Sequence, residues 1–524
     1  MLEKTCKITG QKFYLTNEEQ EAYRHFSLPY PEHCREERLR QALCFLNERR
    51  LFWRKCAVTG NRLVSIYPET APFPILDDSV YRELQDGNLR YGRDYDFRQP
   101  FFDQLYALWR VVPRPATSAE HTVQSSAVHL TLFASKAMLV SHSYYINDCL
   151  YSLHLVDCAH CVDCLHCSRL VRSYECVDCH DGALLRYASH SSGCSDSWFL
   201  YDCKNCRNCL CCVGLQDKQY CIFNAQLSEH EYWETVRSWK LDNRAACEEM
   251  RDKFLAFVED HRQNEFFTDN VSSGSGNSLY RSSRIVQSFN CQDSSNLIDC
   301  YALFRADGCV QGVGFGDGME DSAQFISSGL GASRVINCIE CYDQVNNLTY
   351  SIGCRRSSHL FGCVGLVDRE YCILNRQYSR RRYEEMTRAI QQQLEARETW
   401  GRFFNLFFTP FAYNQSAAID YMPLGEVQAT YLGYTWANEE GELRPSELVR
   451  ALDEVGGEIG EVPIVFDEES RNTLPEQIFI CEITGKPFQL CAREIELNRE
   501  LGICPPARSF EQRHRERLSA ITLV

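Results

Sequence analysis

Apolar positions in two stretches of the chain recur at multiples of three residues, and cysteine occupies many of them. A period of three fits neither an α-helix, which repeats every 3.6 residues, nor a simple strand, which repeats every two. A fixed short period instead indicates stacked repeats built from short strands and corners. In the first stretch the cysteines on this grid are Cys149, Cys158, Cys161, Cys164, Cys167, Cys176, Cys179, Cys194, Cys203, Cys206, Cys209, Cys212 and Cys221.

Many of these cysteines also recur every nine residues, which predicts a parallel β-solenoid. Two nine-residue repeats would form one coil of about 18 residues. Many of the cysteines follow Asp or Asn, as in Asp148-Cys149 and Asn290-Cys291. Asp and Asn suit corners, because their side chains bond to nearby backbone. Cysteine suits the interior, where it packs as a small hydrophobic residue.

An internal duplication divides the repeats into two lobes. The segment from Cys212 to Asn224 reappears, with few changes, from Cys363 to Asn375. The same constant offset places Cys149 on Cys300 without a gap. Each copy is followed by a segment with a helical pattern, and the first of these begins with a capping box. We call residues 140–227 lobe one and residues 290–378 lobe two.

A second duplication joins the two ends of the chain. Cys6-Lys-Ile-Thr-Gly10 matches Cys481-Glu-Ile-Thr-Gly485, and the same offset pairs Arg38 with Arg513. A third Cys-x-x-Thr-Gly motif begins at Cys56. Stacked repeats need atypical ends that shield their open edges, so these terminal modules are predicted to be caps.

These patterns predict a mainly β fold: two tandem cysteine-rich parallel β-solenoid lobes, each followed by a helical segment, between small zinc-ribbon-like α+β caps. The predicted segments are a degenerate zinc-ribbon-like cap (1–70), an aromatic connector with a short helix (71–139), lobe one (140–227), a helical segment (228–271), a flexible joint (272–289), lobe two (290–378), a helical and aromatic connector (379–475) and a degenerate ribbon-like cap (476–524).

Composition and charge narrow the class of protein. Hydrophobic residues make up 44% of the 524 residues, as in an ordinary globular protein. The formal net charge of −16 makes nucleic acid an unlikely partner over most of the surface. No stretch is apolar enough to span a bilayer, and the amino terminus lacks the apolar segment of a signal peptide. We therefore expect a cytoplasmic protein whose 30 cysteines are thiols or metal ligands rather than disulfides.

Lobe one contains two runs of cysteines with the spacing of metal ligands. Paired Cys-x-x-Cys motifs can supply four thiolates to zinc or to an iron–sulfur cluster. The candidate ligands are Cys158, Cys161, Cys164, Cys167, Cys203, Cys206, Cys209 and Cys212.

The internal duplication favours packing over metal binding at these cysteines. A metal ligand does not become leucine and still bind metal, whereas an inward packing residue can. At the constant offset between the lobes, Cys161, Cys167, Cys176, Cys179, Cys206 and Cys209 correspond to Gly312, Gly318, Ser327, Leu330, Ser357 and Leu360. His160 and His166 become Gln311 and Asp317, which predicts that both histidines lie at the surface. The metal-binding alternative remains open, because the two copies could have diverged in function.

The Cys-x-x-Thr-Gly turns resemble zinc knuckles in which threonine replaces the second cysteine. Cys6 could pair with Cys34 or His33, but Ser509 stands where Cys34 would fall in the carboxy-terminal copy. A structural zinc site normally has four ligands. We expect metal-free caps and no cofactor, with zinc as the alternative.

One basic cluster stands out in this acidic chain and is a candidate binding surface. It could contact RNA phosphates, or it could be a solvated helix face that pairs with local acids such as Glu36, Glu37 and Glu48. The cluster contains Arg35, Arg38, Arg40, Arg49, Arg50, Arg54 and Lys55.

Taken together, several motifs resemble one family. They are the Cys-x-x-Thr-Gly modules, the Asx-Cys repeats, Tyr91-Gly-Arg-Asp-Tyr-Asp-Phe97 and Tyr220-Cys-Ile-Phe-Asn224. The chain resembles a family of cysteine-rich repeat proteins that is frequent in environmental bacterial genomes and has no assigned activity. The resemblance implies zinc-ribbon-like ends, with more complete cysteine sets than this chain has.

The leading functional hypothesis is a non-enzymatic scaffold that binds a macromolecule, most simply another protein. No Ser/His/Asp set, HExxH or Walker motif points to catalysis. The alternatives are a metalloprotein that uses lobe-one thiolates and an RNA-contacting protein that uses the arginine cluster. The aromatic segment Gly401–Phe411 is predicted to pack against a lobe rather than bind a ligand.

Overall fold

Two long runs of the chain turn a corner at every third residue. In lobe one, φ is +57° at Asp148, +53° at Tyr151 and +55° at His154. This left-handed conformation is uncommon outside glycine, and Asp, Asn and His adopt it several-fold more often than other residues. That preference explains why Asp and Asn so often precede the cysteines. The residue after each corner lies inside, and Cys149 and Leu155 are fully buried.

Successive segments of lobe one pair in parallel at a constant step along the chain. Leu153 pairs with Leu165, and Ser195 pairs with Arg207, a step of twelve positions in both cases. We call each segment between such paired positions a layer. The expected coil of two nine-residue repeats is therefore wrong, because a corner at every third residue brings the chain back sooner.

The computed structural model describes residues 1–262, 267–328, 335, 338–341, 345–438, 442–443, 474 and 477–519. Most of its strands are short and parallel. The strands that belong to lobe one are Ala119–Val123, His129–Ser135, Ser141–Asn147, Leu153–Val156, Ala159–Val162, Leu165–Ser168, Val171–Tyr174, Ala183–Ser189, Ser195–Tyr201, Arg207–Val213, Gln219–Ile222 and Ala225–Gln226. Those that belong to lobe two are Thr268–Asp269, Gly274–Tyr280, Ser283–Gln292, Ser295–Ile298, Tyr301–Phe304, Asp307–Asp317, Glu320–Ser328, Cys338–Cys341, Asn346–Thr349, Ser358–Phe361, Glu370–Ile373 and Arg376–Gln377.

The remaining strands and the helices lie before, between and after the lobes. The strands are Leu2–Thr5, Lys12–Leu15, Leu51–Lys55, Arg62–Ser65, Ile75–Leu76, Arg114–Pro115, Glu442–Leu443, Phe479–Ile480 and Pro487–Phe488. The α-helices are α1 (Asn17–His25), α2 (Arg35–Leu43), α3 (Asp78–Leu84), α4 (Phe101–Trp109), α5 (Glu229–Ser238), α6 (Arg244–His261), α7 (Arg380–Ala396), α8 (Ala417–Tyr421), α9 (Glu426–Tyr431), α10 (Ala492–Glu500) and α11 (Phe510–Ser519). Short 3₁₀ helices span Gln85–Tyr91, Leu406–Phe408 and Tyr413–Gln415.

The chain divides into two units, and each unit combines segments that are far apart in sequence. Unit 1 contains residues 1–118 and 268–442, and unit 2 contains residues 119–267 and 443–522. The amino-terminal cap thus shares a unit with lobe two, and the carboxy-terminal cap shares one with lobe one. The linear order of the predicted segments does not reveal this arrangement.

Two predicted boundaries of the lobes differ from the structure. Parallel pairing in lobe one begins with Ala119 opposite Thr131, ahead of the predicted start at residue 140. The predicted flexible joint is ordered as strand, because Gly274–Tyr280 pairs in parallel with Ser283–Gln292. Neither segment has the cysteine repeat, although in both segments the chain turns a corner at every third residue.

Lobe two keeps the twelve-residue period only in part. Asp307 pairs with Glu320, and Phe325 pairs with Cys338, so each of these steps is one position longer than a layer of lobe one. Later in the lobe, Asn346 pairs with Ser358 and the period is twelve again. A third longer step joins Ile339 to Ile352. Each extra residue moves the inward positions by one place, and three extra residues return them to the original three-residue grid.

Because of these insertions, the constant offset does not match equivalent residues of the two lobes at every position. Gly318, which the constant offset matches to Cys167, is a corner residue with φ +70°, and the buried residue is Met319. Gly312, Ser357 and Leu360 are buried on the original grid, like their cysteine counterparts. The side chain of Ser327 and all of Leu330 lie outside the described residues.

The two terminal caps have the same elements. The offset that relates Cys6 to Cys481 also relates α1 (Asn17–His25) to α10 (Ala492–Glu500), and it relates α2 to α11. Each cap opens with an antiparallel strand pair joined by the Cys-x-x-Thr-Gly turn. In the first turn, the Gly10 amide donates to the Cys6 carbonyl at 2.9 Å; in the last, Gly485 donates to Cys481 at 2.9 Å.

Most cysteines are free thiols. Of the cysteines that the structure describes, 28 are free and 27 of those are buried. Cys338 in lobe two is disulfide-bonded, so the expectation of thiols or metal ligands does not hold for this residue.

Candidate functional site

The cysteines proposed as metal ligands lie side by side along the interior of lobe one. Each sulfur lies within weak hydrogen-bond distance of two carbonyls, one two residues earlier and one nine residues later, which share its single S–H donor. For Cys158 these acceptors are Val156, at 3.3 Å, and Cys167, at 3.6 Å. All eight candidate thiols make this pair of contacts, with S···O distances of 3.3–3.8 Å. The nine-residue repeat therefore has a structural counterpart in a thiol–carbonyl contact.

Inward cysteine and serine side chains also bind the backbone of the next layer. The Cys209 amide donates to Ser197 Oγ at 3.0 Å, and the Cys206 amide donates to Cys194 Sγ at 3.4 Å. The amide of an inward residue points towards the interior, where a small polar side chain one layer back can accept its hydrogen. A purely aliphatic side chain would offer no such acceptor.

The sulfurs of lobe one are not gathered in the way that the ligands of one zinc ion would be. A tetrahedral zinc site with Zn–S bonds of about 2.3 Å needs sulfurs about 3.8 Å apart. Among the described residues, no three cysteine sulfurs all lie within 4.8 Å of one another. Burial raises the pKa of Cys167 well above the usual thiol range. At Cys164 burial is outweighed by hydrogen bonds from Cys161, Cys167 and Cys176, which hold the pKa well below that range. The thiol pKa values therefore do not decide between packing and metal binding.

Cys6 and Cys34, the candidate ligands in the first cap, are neighbours. Burial raises the pKa of Cys6, but hydrogen bonds from Thr9 and the Cys34 amide outweigh it and leave that pKa below its ordinary value. Burial, together with the nearby Cys6, raises the pKa of Cys34 to about 11. In the described part of the chain, no third ligand atom lies within 4.8 Å of both sulfurs. The structure thus brings together two of the four ligands of a structural zinc site.

The histidine prediction is wrong for His166. Its side chain is 3% exposed, and burial lowers its pKa to about 3, which keeps the ring neutral. His160 is partly exposed and lies 2.8 Å from Asp148. His166 occupies a corner position whose side chain packs beside that of His154.

Five of the six arginines of the basic cluster bind carboxylates of unit 1, and the sixth, Arg54, donates to the Pro68 carbonyl. Arg35 and Arg38 both bind Asp299 of lobe two, the former at 3.1 Å. Arg49 and Arg50 both bind Asp420 at 2.9 Å. Arg40 binds Glu37, one of the local acids expected from sequence, at 2.5 Å.

Arg35 and Arg38 also line a cavity of about 1300 Å³ in unit 1. One face of lobe two forms its floor. Phe289 pairs with Tyr301, and Tyr301 pairs with Val313, so these three residues form a column across successive layers. The twelve-residue period thus places an apolar stripe along the floor.

A second, polar column lies beside the apolar one. Asp299, Gln311 and Gln324 are corner residues, with φ values of +53°, +55° and +52°, and all three line the cavity. Gln324 Nε2 donates to Gln311 Oε1 at 3.2 Å and to the Gly401 carbonyl at 3.0 Å. The second bond ties the aromatic segment after α7 to lobe two.

Aromatic rings form most of the opposite wall. Gly401 has φ +70°, and a Cβ there would lie 2.5 Å from Pro29 Cδ, so only glycine fits where this wall meets the loop after α1. Phe407 is 71% exposed. The aromatic residues that line the cavity are Tyr23, Tyr30, Phe102, Tyr106, Phe289, Tyr301, Trp400, Phe403, Phe404, Phe407 and Phe408.

Several buried polar atoms of lining residues have no hydrogen-bond partner among the described residues, among them Tyr23 Oη, His33 Nδ1, Gln324 Oε1 and Trp400 Nε1. Tyr23 is fully buried and Gln324 is 5% exposed. Buried polar groups are normally satisfied, so each such atom calls for an explanation. Several of these atoms lie around this one cavity.

The sequence patterns do not reveal this cavity. Arg35, Arg38 and the aromatic segment Gly401–Phe411 stand out in the sequence and contribute to the wall, but they lie in separate segments of the chain. The missing information was the contact between the first cap and lobe two.

Two further findings bear on the class of protein. Within the described residues, no helix combines the length and the apolar character needed to cross a membrane. No protein-family model and no curated protein matches the chain.

Proposed function

We propose that this protein is a non-catalytic scaffold that binds a segment of another protein in the cavity of unit 1. The observation that carries the proposal is the cavity itself: about 1300 Å³, lined by aromatic rings, with buried polar atoms that lack partners among the described residues. Small-molecule sites usually enclose about 300–1000 Å³. The larger volume favours several residues of a peptide over a metabolite.

The composition of the wall supports a protein partner. Aromatic residues are enriched at the centres of protein interfaces, because their rings bury a large area and lose little conformational entropy. Phe407 exposes 71% of its surface, although an exposed aromatic ring of that size is costly in water. A bound peptide would cover it.

We further infer that both lobes are parallel β-solenoids whose layers have four three-residue sides. The corners at every third residue and the parallel pairing at a step of twelve positions support this architecture. A solenoid is a rigid frame, because each layer is held to its neighbours by a continuous ladder. In this proposal the lobe-one cysteines pack and hydrogen-bond within the frame, and they bind no metal.

The test is selection of peptides by the purified protein. A phage-displayed library of random peptides is panned on the full chain, and affinities of the selected peptides are measured by fluorescence polarisation. Phe407→Ala should weaken binding about tenfold, because it removes an exposed ring of the site. Tyr431→Ala is the matched control, since Tyr431 is 87% exposed in the same unit and does not line the cavity.

Failure to select any peptide would overturn the proposal, and so would an equal loss of affinity in both variants. Because both rings are exposed, neither variant should disturb folding. A thermal melt of each protein checks this.

A further inference from the structure

We infer that the cavity of unit 1 recognises a cationic side chain, and that the bound segment is a basic peptide with an arginine or lysine that enters the cavity. This inference rests on the proposed function and names the chemistry of its ligand. Three sets of observations carry it: the charges of the lining, the aromatic rings and the unused acceptor on Gln324.

The lining is acidic. It contains three arginines and five carboxylates and no lysine, which gives a net formal charge of −2. Two of the arginines, Arg35 and Arg38, are held by Asp299. The third, Arg402, lies 3.6 Å from Glu32. The positive charges of the wall therefore already have carboxylate partners.

Three lining carboxylates have no cationic partner in the part of the chain that the structure describes. Asp103, Glu395 and Glu398 are exposed, and within the described residues none of them forms an ion pair within 4.0 Å. Asp103 lies in the first turn of α4, and Glu395 and Glu398 lie at the end of α7. Two separate elements thus bring unpaired acids to one cavity.

A cluster of acids is common at protein surfaces, so the buried acceptor is the more specific observation. Gln324 is 5% exposed, and both hydrogen bonds of its amide involve the nitrogen. Its Oε1 atom accepts no hydrogen bond from a described residue. A guanidinium or an ammonium group would supply the missing donor.

The aromatic rings favour the same ligand. A cation over the face of an aromatic ring is stabilised by the ring quadrupole. The floor of the cavity already shows this contact, because the guanidinium carbon of Arg35 lies 4.4 Å from the centre of the Phe289 ring. Tyr106 and Phe407 present further partly exposed rings to an incoming cation.

The net charge of the chain, −16, points in the same direction. A basic peptide would be steered towards an acidic protein before it reached the cavity. This long-range attraction lacks specificity, however, so the test must separate it from recognition within the site.

The experiment compares two labelled peptides, tetra-arginine and tetra-citrulline, both acetylated and amidated. Citrulline has nearly the shape of arginine and no charge. We expect the full-length protein to bind tetra-arginine about tenfold more tightly than tetra-citrulline at physiological salt. The double variant Asp103→Asn/Glu398→Gln should lose most of this preference.

The matched control is Glu426→Gln, which removes an exposed carboxylate of unit 1 outside the cavity and should leave the preference unchanged. Equal binding of the two peptides would overturn the inference. So would an equal loss in Glu426→Gln and in the double variant, since that result indicates general attraction to an acidic surface. Tighter binding of spermidine than of tetra-arginine would overturn the assignment to a peptide.

The two proposals fail in different ways. If library-selected peptides bind in a Phe407-dependent manner but carry no excess of arginine or lysine, the proposed function stands and the cationic site does not exist. If no peptide binds in a Phe407-dependent manner, the proposed function itself is wrong.

Discussion

Lobe one and lobe two derive from one sequence pattern but fill their interiors differently. The buried cluster of lobe one contains thirteen cysteines, whereas that of lobe two contains seven and adds larger residues such as Met319 and Phe325. Lobe one keeps a twelve-residue period throughout its described strands, and lobe two inserts single residues where those larger side chains occur. The twelve-residue period is regular in the lobe whose inward residues are small.

The physical reason is space. Gly312 lies one layer before Phe325, and a Cβ on Gly312 would lie 2.0 Å from the Phe325 ring. In lobe one the equivalent residue is Cys161, which pairs with Ser173 one layer later. A large inward ring fits only where the paired residue of the neighbouring layer has no side chain. The cysteine side chain is small enough to occupy inward positions in all layers of a lobe at the same time.

The two units also differ in what covers the lobe. In unit 1, α2 binds Asp299 through Arg35 and Arg38, and the aromatic segment after α7 completes a large cavity. In unit 2, the equivalent carboxylate is Asp148, which binds Arg493 of α10 and His160. The two caps therefore contact their lobes through different residues: Arg38 binds Asp299, whereas its equivalent Arg513 binds Asp163.

The largest effect should come from giving lobe two an inward residue of lobe one. Gly312→Cys places a side chain against the Phe325 ring and should lower the free energy of unfolding by about 3 kcal/mol. Chemical denaturation monitored by circular dichroism measures the change. Adding Phe325→Ser, the residue of lobe one at the paired position, should recover part of the loss. A neutral Gly312→Cys variant would show that the layers do not constrain one another in this way.

The next effect concerns the residue that ends each lobe. The side chain of Asn375 bonds to both the amide and the carbonyl of Val364, at 2.7 and 2.8 Å, and to the Asn88 carbonyl at 3.2 Å. Asn224 makes the first two bonds with Val213, at 2.9 and 2.8 Å. Asn375→Ala should cost about 2 kcal/mol, and Asn224→Ala somewhat less. Thermal unfolding of both variants checks the order.

The reverse order in that experiment would contradict the assignment of a third bond to Asn375. Both residues have a left-handed backbone, with φ +62° and +63°, which alanine tolerates poorly. Asn→Gly variants at the two sites control for this backbone cost, because glycine adopts the conformation freely.

A smaller loss of stability is expected for Cys206→Ser. Serine is the residue at the equivalent position of lobe two, Ser357. The Ser357 hydroxyl donates to the Arg355 carbonyl at 2.8 Å and accepts from the Arg369 amide at 3.1 Å. Serine in place of Cys206 can form the same pair of contacts, so the loss of stability should be about 1 kcal/mol. Metal analysis and melting temperature, measured on both proteins, test this. Loss of a stoichiometric metal on substitution would show that Cys206 is a ligand.

The smallest effect should be visible only in acid. Burial raises the pKa of Asp148, but Arg493 and His160 outweigh this and hold that pKa below its ordinary value. A lowered carboxyl pKa adds stability that is present above the unfolded-state pKa and is lost as the pH falls through the folded-state pKa. Between about pH 6 and pH 3, the wild type should therefore lose more stability than Asp148→Asn. If stability falls equally with pH in the two proteins, Asp148 does not contribute to the acid response.

Some of the chemistry near the site was visible in the sequence. The arginine cluster and the aromatic segment Gly401–Phe411 were both identified from composition, and both contribute residues to the cavity. Their partners were not predictable. Asp299 is one of many Asx residues that precede a cysteine, and nothing local distinguishes it from Asp157 or Asp202. Its role depends on the docking of α2.

The sequence by itself determined the local rule: a corner at every third residue, an inward small side chain after it, and two duplications that relate the lobes and the caps. That rule is local, because the left-handed preference of Asp and Asn and the size of cysteine act within a few residues. Only the tertiary structure decided that residues twelve positions apart pair in parallel, that lobe two takes extra residues, and that the first cap lies on lobe two and lines a cavity. Those outcomes depend on hydrogen bonds between layers and on side-chain volume across them, which join residues that the chain separates by a full layer or by several hundred positions.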